Sequence, residues 1–394
     1  MSVELRPLGV TCNIGCEYCY QQPQRDAGNL TRGYDLEAMK AAIEREGGPF
    51  TLFGGEPLLV PIDDLEALWA WGLGRFGSNS LQTNGTLITD AHIDLFRRYR
   101  VQVGISLDGP GALNDARSAG TLERTRAATE RAQRAVERLC REGLSPSIIV
   151  TLHRGNATRD RLPALHAWVR DLRTLGVIAM RLHLLEVEDD EVRRAYALTD
   201  QENVDALVSF GQVEPQLLPL RLDVFDEMRQ LLLGADDRAS CVWHACDPYT
   251  TRAVQGVEGS GQRSNCGRTQ KDGVDFVKAD EAGFERYLAL YQTPQASGGC
   301  QGCRFFLMCK GQCPGTAIDR DWRNRTEHCE IWKALFGHLE QQLVGEGKTP
   351  LSVHPSRSAV EARFLERWAA GESASMSAVI AGMNQAGARG ETPS

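Results

Sequence analysis

A chain of 394 residues exceeds what one hydrophobic core usually organises, so two or three domains, or one large barrel with an appendage, are expected. Its 42% hydrophobic share is ordinary for a globular protein, and no run approaches the roughly 20 apolar residues that span a bilayer, which excludes a membrane protein. The net charge of −8 argues against a general phosphate-backbone binder, so neither nucleic acid nor membrane is an expected partner.

Along the first two-thirds, short β-rich runs alternate with amphipathic helical patterns, as in a parallel sheet with helices outside. Strands are predicted at Val3 to Val10, Phe50 to Phe53, Ser80 to Thr83, Val101 to Leu107, Ser147 to Leu152 and Ile178 to Leu185. Helical patterns lie between them at about Leu36 to Arg45, Asp63 to Gly72, Asp90 to Arg98, Leu122 to Glu142 and Ala157 to Leu175. Helix 122 to 142, dense in Arg and Glu, reads as a solvated, ion-paired face. The implied fold is α/β, a partial (β/α)6 TIM-like barrel over residues 1–185, with chemistry at the loops after the strand C-termini. Cys12 to Cys19 follow the first strand, Gly54-Gly55-Glu56-Pro57 the second, Asn84-Gly85 the third and Asp108-Gly109-Pro110 the fourth.

Beyond the barrel, residues 186–240 read as an acidic helical linker, 241–332 as a second cysteine domain and 333–394 as a helical tail. The tail carries one amphipathic stretch, Ala359 to Ala370, before a frayed end.

Eleven of the twelve cysteines fall into two ordered sets. Cys12, Cys16 and Cys19, in T-C-N-I-G-C-E-Y-C-Y, put three thiolates on one tight loop, able to hold three irons of a [4Fe-4S] cube and leave the fourth open. A zinc loop would want a fourth ligand nearby, and none follows. Disulfides are disfavoured because the chain starts without an apolar signal segment, which points to the reducing cytoplasm. The second set runs Cys241, Cys246, Cys266, Cys300, Cys303, Cys309, Cys313 and Cys329, enough for two fully ligated clusters, with two zinc ribbons as the alternative. Cys140, left over in a helical run, reads as a small buried hydrophobe.

The first loop resembles the signature of radical S-adenosylmethionine enzymes, and the second set resembles their SPASM extension. This resemblance implies S-adenosyl-L-methionine and three [4Fe-4S] clusters as cofactors, one catalytic and two auxiliary. It implies Cys241, Cys246, Cys266 and Cys313 as ligands of one auxiliary cluster, and Cys300, Cys303, Cys309 and Cys329 as ligands of the other. Cys313 then interleaves with the other cluster's ligands, so metal assembly is expected to help fold a segment poor in apolar residues. By the same resemblance Tyr18 packs near the adenine, Gly54, Gly55 and Glu56 receive the methionine amino group, and Ser106 and Arg117 hold the ribose and carboxylate.

The reaction so implied is reductive cleavage of the sulfonium to a 5′-deoxyadenosyl radical that abstracts a substrate hydrogen, with an external one-electron reductant such as flavodoxin or ferredoxin. Gln82 matches a substrate-facing position of the sulfatase-maturase branch. Asp108, His153, His183 and Glu186 are strand-end candidates for a base. That branch places an aspartate directly after the third auxiliary cysteine, whereas Gly267 follows Cys266 here. The expected activity is therefore cross-linking, or another bond formed at an unactivated carbon, in a ribosomally made precursor peptide. Alternatives are a sulfatase-maturase-like dehydrogenase or an epimerase acting on a protein side chain or small molecule, and a non-catalytic iron–sulfur protein. The first strand begins at once, so no leader-binding domain is expected before the barrel.

Overall fold

The computed structural model describes residues 3–26, 33–187, 189–244, 246–247, 249–250, 254–269 and 283–388. They form two compact units, Met1–Asp223 with Val254–Val277, and Val224–Ala253 with Lys278–Ser394.

The first unit is a mixed α/β body around a sheet of nine strands: β1 Val3–Arg6, β2 Phe50–Leu52, β3 Asn79–Thr83, β4 Val101–Ser106, β5 Ser147–Leu152, β6 Ala179–Leu184, β7 Arg221–Leu222, β8 Gln255–Glu258 and β9 Arg263–Ser264. Their order is β7-β6-β5-β4-β3-β2-β1-β8-β9, with every pair parallel except β8 and β9. The barrel is open, since the two end strands do not pair. The six strands expected from sequence are present in consecutive order, because each carries buried apolar residues such as Leu5, Leu52, Leu81, Ile105, Ile148 and Leu182.

Three further strands extend the sheet. β7 has two residues, and β8 reads Gln-Gly-Val-Glu, too short and too polar to announce itself. β8 pairs with β1 through Val3↔Gln255 to Arg6↔Glu258, and an ion pair at 2.5 Å between the buried Arg6 and the half-buried Glu258 fastens the two. Val254–Val277 thus groups with the barrel although it lies within the second cysteine set.

The helices cover the sheet with one apolar face each. Leu36–Glu46 starts where the Asp35 side chain accepts from the backbone N–H groups of Glu37 and Ala38, and stops at Gly47 in the left-handed region. Leu122–Arg141 buries Ala128, Ala132, Ala135, Val136 and Leu139 and points Arg134 and Glu130 at solvent as an ion pair.

The second unit holds the helices Glu285–Gln292, Cys329–Gly345, Arg357–Ala369 and Met376–Ala388. Within 241–332, expected to be poor in apolar residues, Trp243, Tyr287 and Phe306 are buried, and Phe336, Phe364 and Trp368 of the following tail are buried in the same unit. The final helix, where a frayed end was expected, is capped at its start by Asp236, which accepts from Met376 N at 2.8 Å.

Candidate active site and cysteine centres

Each motif loop leaves the C-terminal end of its strand, so the side chains converge on one rim of the first unit. The cysteine loop after β1 is fixed through its backbone, Gly15 N donating to Ser118 O and Glu17 N to Ala116 O, both at 2.8 Å. Burial raises the Cys12 thiol and pushes Cys16 up to about 12; for Cys16 the Arg117 charge opposes the rise and the neighbouring thiols add to it. Crowded thiols of this kind ionise when positive charge arrives among them, as metal ions provide.

The two glycines after β2 are required by the chain's own packing. A Cβ on Gly54, where φ is +116°, would meet Gly9 O at 2.4 Å, and one on Gly55 would meet Thr11 O at 2.1 Å. Their absence lets Gly55 N donate to Gly9 O at 3.0 Å and Glu56 N to Thr11 O at 2.9 Å, so this turn lies directly on the cysteine loop.

Glu56 is 1% exposed. Its carboxylate accepts from Leu58 N at 3.0 Å, Thr83 Oγ1 at 2.7 Å and Asn84 N at 2.8 Å. Burial raises its pKa against these hydrogen bonds, and among the described residues no cation pairs with it. A buried carboxylate that lacks a counter-charge suits an ammonium ligand.

Asp108 is fully buried. Oδ1 accepts from Arg117 Nη2 and from Thr151 N, each at 2.9 Å. Oδ2 accepts from the Tyr18 hydroxyl and faces His153 Nε2 at 3.5 Å. Burial alone would raise this carboxyl, but Arg117 and then His153 hold it well below the usual carboxylate range. The base role expected from its strand-end position does not fit: both oxygens are engaged and the group is held ionised. Asp108 instead orients Tyr18 and Arg117. Arg117 keeps a buried Nε without a partner, a donor available to an anionic ligand.

Gln82 and Ser106 meet across β3 and β4, Gln82 Nε2 donating to Ser106 Oγ at 2.9 Å. His153 accepts from Gly155 N through Nδ1, which leaves its Nε2 protonated and turned to Asp108. Past β6, Arg268 bridges His183 Nδ1 at 2.9 Å and Glu186 Oε1 at 2.9 Å, while Glu186 Oε2 is buried without a partner. Burial, then Arg268, lowers the His183 pKa well below its ordinary value, so this ring is neutral.

Sequence reasoning missed the residues that brace the cysteine loop. Asn84 Nδ2 donates to Asn13 Oδ1 at 2.8 Å, Asn13 Nδ2 to Thr86 Oγ1 at 2.9 Å, and Arg25 Nη2 to Cys19 Sγ at 2.5 Å. Asn84 was visible as part of an Asn-Gly turn; Asn13 and Arg25 carry no local signal.

In the second unit, Cys300, Cys303, Cys309 and Cys329 line one cavity. Burial raises the Cys300, Cys303 and Cys309 thiols, Cys300 up to about 12, and the neighbouring thiols raise them further. Residues Lys310, Gly311 and Gln312, all at positive φ, carry the chain from Cys309 to the buried Cys313. Arg286 is buried among carbonyls: Nε donates to Trp322 O at 2.6 Å, Nη2 to Asn324 O at 2.9 Å, and Nη1 reaches Cys246 O and Gln312 O at 3.4 Å. It therefore ties the Cys246 and Cys313 loops together. Cys241 opens a short turn, Cys241–Trp243. Cys266 follows β9 in the first unit. Among the described residues no disulfide joins any of the cysteines, and Cys140 is half-buried on its helix.

Residues 7–168 match the radical SAM superfamily. The serine-type anaerobic sulfatase-maturating enzyme of Klebsiella aerogenes is 32% identical over 209 residues, 50% of this chain and 49% of that enzyme, so the match spans about half the length of the relative. Two solved structures share the fold. Native anSMEcpe with bound AdoMet superposes with a TM-score of 0.64 at 19% identity, covering 87% of this chain and 98% of that one. Streptococcus suis SuiB bound to its precursor peptide SuiA superposes with a TM-score of 0.50 at 14% identity, covering 84% and 76%. No described helix is long and apolar enough to cross a membrane.

Proposed function

We propose that this chain, which carries a radical S-adenosylmethionine domain over residues 7–168, is a SPASM-type cytoplasmic enzyme that forms a cross-link or another bond at an unactivated carbon of a ribosomally made peptide. The carrying observation is the meeting, on one rim, of three crowded thiols with a buried carboxylate that lacks a counter-charge and a buried guanidinium with a spare donor.

Cys12, Cys16 and Cys19 suit three irons of a [4Fe-4S] cluster, and Glu56 and Arg117 suit the ammonium and carboxylate of S-adenosylmethionine. Once bound, that pair supplies a radical able to take a hydrogen atom from an unactivated carbon. The chain's own residues provide the placement. Asp108 locks Arg117 and Tyr18, the Gly54-Gly55 turn sets Glu56 against the cysteine loop, and Gln82 with Ser106 presents polar atoms beside them. The eight cysteines of the second set suffice for two auxiliary clusters. An external one-electron donor such as flavodoxin or ferredoxin would start the reaction.

The choice of bond formation is supported at Gly267. A Cβ there would stand 3.1 Å from Tyr20 Cε2, 3.3 Å from Arg6 Nη1 and 3.4 Å from Gln21 Nε2, so a side chain at this position would require these side-chain ends to give by a few tenths of an ångström. The second reading, oxidation of a Ser or Cys side chain, is favoured by the relative named for sulfatase maturation.

The test is anaerobic reconstitution followed by dithionite, S-adenosylmethionine and short peptides encoded beside the gene. Release of 5′-deoxyadenosine with a product lighter by two hydrogens, unreactive toward hydrazides and showing two residues joined on fragmentation, is expected. A hydrazide-reactive product selects the second reading. No 5′-deoxyadenosine from reconstituted protein overturns both.

A further inference from the structure

The cavity lined by Cys300, Cys303, Cys309 and Cys329 also carries two cations, Arg325 and Lys333. Arg325 is held from outside the cavity: Nη1 donates to Gln295 O at 2.6 Å and Gly299 O at 3.1 Å, on the segment that leads into Cys300. Its Nε is buried and has no partner, and no carboxylate pairs with its guanidinium among the described residues. Lys333 lies four residues past Cys329 on the same helix and donates to Gln295 Oε1 at 2.6 Å and Glu330 Oε1 at 3.1 Å.

The rest of the wall offers Arg325 little compensation, since it includes the rings of Phe305, Phe306 and Phe336. A buried donor without an acceptor is destabilising, and a cation with no counter-charge beside it adds to that cost. Both costs disappear when the four thiols carry an anionic iron–sulfur group.

We propose that Arg325 and Lys333 are positioning residues for this centre: Arg325 Nε donates to sulfur of the group held by the four cysteines, and the two cations raise its reduction potential. The inference rests on the cluster assignment proposed above. Its physics is that an added electron adds negative charge beside fixed positive charge, an attraction that the apolar rings of the wall strengthen. Arg325 exerts the larger effect because it has no counter-ion, whereas Glu330 offsets part of Lys333.

The test uses the full chain with Cys12, Cys16 and Cys19 all replaced by alanine, which leaves only the auxiliary centres. After reconstitution with iron and sulfide, midpoint potentials are read by EPR-monitored redox titration alongside iron content. Arg325→Gln is expected to shift one auxiliary potential negative and leave the other as an internal reference, at unchanged iron. Lys333→Gln is expected to shift the same potential in the same direction by less. Unchanged potentials in Arg325→Gln at full iron content overturn the proposal. Should Arg325→Gln lose iron through its contacts to Gln295 and Gly299, Lys333→Gln decides: a negative shift supports the proposal and none overturns it. A background protein that takes up no iron overturns the cluster assignment and this inference with it.

Discussion

Asp108 and Arg117 meet at 2.9 Å, the carboxylate fully buried and the guanidinium 11% exposed, and this pair fixes the site's charges before any ligand arrives. Removing one partner of such a pair strands the other. Asp108→Asn keeps the shape but deprives Arg117 of its counter-ion, and is expected to cost roughly 3–5 kcal/mol of stability. The difference should depend on pH with a definite sign. Because Asp108 is held below its ordinary value, its contribution is complete above the unfolded-state pKa of about 3.9 and fades as pH falls through the folded-state value. Urea unfolding of the two apoproteins should show the gap between them widest near neutrality and closing in acid. A gap constant down to the acid limit would mean that the pair is not what stabilises the site.

Gly55→Ala tests whether the glycine pair serves the backbone. Its Cβ would fall 2.1 Å from Thr11 O, one residue before Cys12, so the cysteine loop must shift. Iron content after reconstitution should drop by about four, one cluster's worth, while the eight cysteines of the second set keep their iron. Full loading would show that the loop tolerates the displacement.

Much of this site was legible because its chemistry is carried by short local words. Cys12, Cys16 and Cys19 sit within one turn, and Gly54-Gly55-Glu56 ends a strand marked by apolar residues. What escaped depended on partners distant in sequence. Asp108 looked like a strand-end base because Tyr18, 90 residues earlier, and Thr151, 43 residues later, are not visible around it. Asn13 and Asn84 are 71 residues apart, and neither sequence neighbourhood hints at the other. β8 went unread because pairing with β1 fixes it, not its own Gln-Gly-Val-Glu pattern.

Glu56→Gln keeps an acceptor oxygen for part of the network of Leu58, Thr83 and Asn84 while deleting the charge. If Glu56 receives the ammonium of S-adenosylmethionine, affinity should fall by about 1.5–3 kcal/mol, the range for hydrogen bonds to charged groups, or roughly 10- to 150-fold. Equilibrium binding to reconstituted protein measures it directly. Affinity within about twofold of wild type, a difference of less than about 0.5 kcal/mol, would return Glu56 to a purely structural part, as the brace between β2 and β3.

Arg286 is the corresponding test for the second unit. It is 2% exposed and donates to carbonyl oxygens on several loops, an arrangement that holds those loops in place. Arg286→Met preserves much of the volume but leaves Trp322 O, Asn324 O, Cys246 O and Gln312 O short of a donor, each at about 1–3 kcal/mol when the group stays buried. The Cys246 and Cys313 loops lose their shared anchor, so the variant should melt at lower temperature as apoprotein and load about four fewer irons. The cavity lined by Cys300 and Cys329 should keep its cluster. Arg323→Met is the control, because Arg323 pairs with Asp321 at 2.7 Å on the surface, where such pairs contribute about 0–1 kcal/mol. If Arg286→Met loads iron as fully as Arg323→Met, the two cysteine loops are organised by the metal itself, and the guanidinium only follows.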